Sequence, residues 1–151
     1  RRLSRGQISE MPSCPFDSET LSSRLIDQNE ILISKISTAL ECDESEVPQA
    51  MNEVVRFLYL ANQNKEGMLT PSVRVDLAWH EFILCTHAYQ DFCQQQFGTF
   101  IHHSPGGLKT KNHEQFLKTL SSYEVTFGNP NSLYWGSALK VVATCGECET
   151  L

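Results

Sequence analysis

The chain reads as an all-α protein. The prediction is a single domain of about four main helices around a long central helix at about 71–97, with a short irregular or strand-like tail. Three observations predict this. Apolar residues recur at helical spacing in four segments. Cap residues and an early proline open those segments. Polar stretches and glycines close them. At 151 residues one such domain buries most of its unfolded surface without covalent staples.

Residues 1–16 are polar, broken by Pro12 and Pro15, and read as a flexible N-terminal segment. The helical domain spans 17–140, and a cysteine-containing tail occupies 141–151. Asp17 or Ser18 caps a first helix running to about Leu40, with Leu21, Leu25, Ile31, Ile33, Ile36 and Leu40 as its apolar residues. The acidic stretch Glu41 to Glu46 breaks it. Pro48 suits the first turn of a second helix ending near Asn62. Its residues Met51, Val54, Val55, Leu58 and Leu60 predict burial on more than one side.

After a polar turn from Asn62 to Gly67, Thr70-Pro71 marks the start of the third helix. If unbroken to Phe97, where Gly98 supplies a left-handed stop, that helix is about 39 Å long. A loop bearing glycine and proline follows from Thr99 to Lys109. Thr110 caps a fourth helix that ends near Phe127 and is stopped by Gly128. Beyond the turn at Asn129-Pro130-Asn131, Val141-Val142-Ala143 fits either a short strand or a helix end.

Composition excludes several function classes. The net charge of −6 and pI near 5.3 oppose nucleic-acid binding, which needs clustered Lys and Arg. Arg1, Arg2 and Arg5 are too short a basic opening to change that. No run of about 18 apolar residues occurs, so no membrane span is expected. Cys85 and Cys93 lie inside a helical segment, which suits buried thiols and a cytoplasmic setting better than a disulfide framework. Gly-rich phosphate loops, nucleophile elbows and His-Glu-x-x-His pairs do not occur.

The third helix carries two stripes. Trp79, Phe82, Thr86, Tyr89, Cys93 and Phe97 fall within about 80° of one another and read as a core-facing aromatic stripe. Asp76, His80, Ile83 and His87 fall within about 60° on another face. Asp76 and His80, four residues apart, can present an oxygen and a nitrogen to one ion. His87 lies about 10.5 Å further along the axis, too far to share it. His102 and His103 complete the candidate set if the loop after Gly98 folds back. An Asp with two His leaves open positions, which suits Zn or Fe. The alternative is structural: His80 held by Asp76 or a carbonyl, His102 capping the helix end. His113 reads as a surface residue. Cys145 and Cys148, spaced as half of a tetrahedral zinc site or as a redox pair, form a second and weaker candidate.

Asp76, Trp79-His80, Ile83-Leu84, Thr86, Tyr89, Cys93, Phe97-Gly98, His102-His103 and Pro105 together resemble the glycine-rich domain-containing protein-like family. It comprises small bacterial proteins and the N-terminal region of longer plant proteins. The run Tyr123 to Gly128, with Pro130 and Trp135, is similar to that family's closing segment, so the likeness spans roughly Val54 to Trp135. Two departures stand out. Phe82 occupies a place where many members carry a second histidine, and the long glycine-rich tail is missing. The resemblance implies a helical fold and a structural motif of Trp79, Tyr89, Cys93, Phe97 and Gly98, but no reaction.

Two functions follow. One is an interaction or scaffold domain, with a protein partner, in which the His/Asp/Trp motif locks the loop onto the helices. The other is a zinc- or iron-binding protein or metalloenzyme using Asp76, His80 and His102 or His103.

Overall fold

The structure, a computed structural model, describes residues 14–104 and 106–136. The all-α expectation holds: seven α-helices and one short 3₁₀ turn, with no strand among the described residues. They are α1 (Ser18–Gln28), α2 (Ile31–Leu40), the 3₁₀ turn (Glu44–Glu46), α3 (Val47–Gln63), α4 (Val73–Leu84), α5 (Thr86–Phe97), α6 (Lys109–Phe127) and α7 (Ser132–Trp135). The stretch Val141 to Ala143, Pro105 and the Cys145/Cys148 pair lie outside the described residues.

Two predicted long helices are each divided. The first breaks at Asn29, whose side-chain amide donates to the Leu25 carbonyl and so competes with the helical backbone. Its start is as expected: Asp17 accepts from the Thr20 N–H. The acidic stretch also ends α2 as expected, through Glu41 in the left-handed region at φ 51°.

The second division is the larger correction. The expected 71–97 spine is two helices joined at Cys85, where ψ of 68° leaves the helical region. Its start is displaced too. Ser72, not Thr70, is the cap, accepting from the Val75 N–H at 3.2 Å. Thr70 is buried instead, where its N–H donates to Thr119 and its hydroxyl to Gln115.

The helix at the centre is therefore α3. It packs against α1, α2, α4 and α6. Its buried residues Val47, Ala50, Met51, Val54, Val55, Phe57, Leu58 and Leu60 cover several faces, which matches the mixed apolar spacing in its sequence. Pro48 sits in its first turn, where the missing N–H is harmless.

One charged group lies inside this core. Glu53 on α3 is 2% exposed, and its Oε2 accepts from the Tyr123 hydroxyl and from the Trp135 indole N–H, both at 2.7 Å. Arg56, one turn further along, donates to the same Tyr123 oxygen at 2.8 Å and to Ser18 at 3.0 Å. Its guanidinium also lies over the Phe127 ring. This network joins α1, α3, α6 and α7, and buried polar groups are tolerated when satisfied in this way.

Removing the shared acceptor strands two buried donors. Glu53→Ala is expected to cost about 3 kcal/mol, which for a domain of this size lowers Tm by about 6–12 °C. Thermal unfolding followed by circular dichroism checks this; a shift under about 2 °C contradicts it.

Candidate functional site

The break at Cys85 creates the site. On one straight helix Trp79 and Tyr89 would sit about 15 Å apart along the axis, beyond any hydrogen bond. The bend folds α5 back on α4, and the Trp79 indole N–H donates to the Tyr89 hydroxyl at 3.1 Å. That hydroxyl donates in turn to the Ile101 carbonyl. Both side chains are buried, and Tyr89 meets Phe82 edge-to-face at 5.0 Å. Burial pushes the Tyr89 phenol well above its ordinary range, so it stays a donor.

Gly98 supports the return of the chain. It stops α5 at φ 68°, a left-handed conformation that suits glycine. The loop then runs back over α4. His103 Nε2 meets Asp76 Oδ1 at 2.6 Å, and the two side chains are only 10% and 19% exposed. A carboxylate can only accept, so the imidazole donates. The His103 ring is packed between Trp79 and His80, with centroids 4.4 Å and 4.6 Å away.

The structure thus brings Asp76, His80 and His103 of the candidate set together, with Trp79 and Tyr89, which the helical spacing had placed on a separate stripe, beside them. It does not bring in His102, whose exposed ring packs on Phe100 at 4.7 Å. Nor does His102 cap the helix end. His87 lies elsewhere, in a polar depression between α1 and α5. Thr86, expected in the core stripe, is exposed because the bend rotates it outward, and His113, expected at the surface, is half-buried with its Nδ1 enclosed.

Cys93 is 0% exposed and Phe97 packs on Phe92 and Phe16, so both serve the core as expected. Burial raises the Cys93 thiol above its ordinary pKa, which makes it a poor nucleophile. Among the described residues no group of three or more His, Cys, Asp and Glu side chains is arranged to hold a metal ion.

A feature the sequence did not reveal is a cleft of about 440 Å³ beside this cluster. Phe57, Leu69, Trp79 and Ile101 form its apolar floor, while His103, Ser104, Lys111 and Gln115 stand at its polar rim. One wall is the turn at Gly106-Gly107. Gly107 has φ 104°, and a Cβ there would press on the Asn112 side chain at 3.3 Å. The Gly-Gly pair gave the only sequence signal, a tight turn, without saying what it faced.

Fold and site together define a small all-α domain whose loop is clasped to a bent helix pair. Residues 24–122 match the family described as UCP032817-like. The chain belongs to that family. This corrects the resemblance to the glycine-rich domain-containing protein-like family, since the matched span includes the whole Asp76–His103 motif that carried the resemblance. Comparisons with curated proteins and with solved structures found no match.

Tyr89→Phe removes one oxygen and leaves both the Trp79 N–H and the Ile101 carbonyl without it. The expected cost is about 1–3 kcal/mol, with faster hydrogen exchange at the Trp79 indole. Unchanged exchange at that indole would argue that the phenol does not hold the loop.

Proposed function

We propose that the chain is an interaction domain in which Asp76, Trp79, Tyr89 and His103 form a structural clasp rather than a reaction centre. The observation that supports this is that the polar atoms of Trp79 and Tyr89, with Asp76 Oδ1 and His103 Nε2, are bonded to one another and to the loop backbone. A group needed for proton transfer or for ligating an ion has to present a free atom to its substrate. Here the shortest contacts run from α4 and α5 into the loop of the same chain. The clasp fixes the loop, and the loop with α6 frames a cleft beside it.

A second reading is that zinc or iron binds Asp76, His80 and His103. One observation favours it: the His80 ring lies 4.6 Å from that of His103, on the side of α4 that also carries Asp76. The direct contact between Asp76 and His103 opposes it, because an ion between them would have to separate two atoms now 2.6 Å apart. His102 would have to leave Phe100 to join.

A double-mutant cycle separates the two. Asp76→Ala and His103→Ala should each cost about 2 kcal/mol and couple by about 1–2 kcal/mol, whereas His80→Ala changes stability by less than about 0.5 kcal/mol. Melting should be indifferent to chelator. About one zinc or iron per chain in untagged protein, lost in His80→Ala together with chelator-sensitive melting, would establish the metal reading instead.

A further inference from the structure

The cleft beside the clasp differs in charge from the rest of the molecule. Acidic residues outnumber Lys and Arg by 18 to 12 in the chain, yet no Asp or Glu is among the described residues that line this cleft. Its polar lining includes one cation and several neutral groups able to donate. Lys111 is exposed and brings a full positive charge. Gln115 accepts from the Thr70 hydroxyl through Oε1 at 2.9 Å, which leaves its amide N–H groups as donors. Ser104 adds a hydroxyl, and His103, with Nε2 committed to Asp76, keeps Nδ1 as its other polar atom. Below them the floor is apolar and aromatic: Phe57, Leu69, Trp79 and Ile101.

We propose that this cleft is a binding site for a small organic acid with an apolar body, whose carboxylate pairs with Lys111 at the rim while its hydrocarbon part rests on Trp79 and Phe57. Size supports this, because about 440 Å³ falls within the range of small-molecule sites. Charge narrows the class. One lysine with neutral donors matches a single negative charge, whereas a phosphate monoester would bring close to two into a partly enclosed apolar cleft. The lack of any Asp or Glu among the described lining residues disfavours cations and amines, which would find no side chain of opposite charge there. The site rests on the clasped loop, since Ile101 and His103 are held in the wall by Tyr89 and Asp76.

The test uses the whole chain labelled with ¹⁵N and titrated with phenylacetate, octanoate, their neutral amides and phenyl phosphate. The two acids should shift the backbone amides of Gly107 and Lys111 and the Trp79 indole, with Kd of about 1 mM or tighter. The neutral amides should bind at least about 10-fold more weakly, and Lys111→Glu, at an exposed position, should weaken the acids by a similar factor. The proposal is overturned if neither acid moves these resonances at about 10 mM, if the amides bind as well as the acids, or if phenyl phosphate binds more tightly than both. Protection of the Trp79 indole N–H without ligand reports the clasp separately. A protected indole with no acid binding removes the ligand site alone; an unprotected one removes clasp and cleft together.

Discussion

The Tyr89 hydroxyl is buried between two helices and a loop, and it is tolerable there because it is satisfied on both sides. It accepts from Trp79 and donates to Ile101. An unpaired hydroxyl in that position would carry a desolvation cost of about 1–3 kcal/mol. Geometry makes this bond a constraint on the whole site. Trp79 and Tyr89 can meet only if the helix bends between them, so the break at Cys85 and the bond depend on one another. Once α5 folds back, Gly98 directs the following loop across α4, and His103 arrives over Asp76. The cleft is what remains between that loop, α3 and α6.

A second polar network is built on α3 itself, one turn before Phe57, which packs on Trp79. Glu53 gathers the donors of Tyr123 and Trp135, and Arg56 closes the group against Ser18. Buried ionisable groups of this kind add little net stability compared with apolar packing, but they penalise any arrangement that leaves them unpaired. Two such networks, one among α4, α5 and the loop and one among α1, α3, α6 and α7, tie together elements that apolar burial alone would hold with less directional preference.

Much of this was legible in the residues. Apolar spacing and the caps at Asp17 and Pro48 placed α1 and α3, and Gly98 and Gly128 marked where α5 and α6 end. The co-facial pair of Asp76 and His80, with His102 and His103 beyond the helix, pointed to the place where the loop meets α4. The rest lay in tertiary contacts. Nothing at Cys85-Thr86 has the sequence signature of a break, because no Gly or Pro stands there; the bend follows from what Tyr89 gains across it. Asn29 breaks the first helix through a side-chain bond that asparagine makes in some contexts and not in others. Choosing His103 over His102 depends on which ring the loop turns toward α4, and one residue's difference reverses it. Glu53 gave no signal, since a glutamate inside an amphipathic pattern normally faces water.

The central claim is that His103 is a clasp residue, donating from Nε2 to Asp76. Nitrogen-15 chemical shifts of the imidazole ring in labelled protein test it directly. The account predicts a protonated Nε2 in the hydrogen-bonded range, unchanged by zinc or by chelator and lost in Asp76→Ala. An Nε2 without a proton, whose resonance moves when zinc is added or removed, would contradict it.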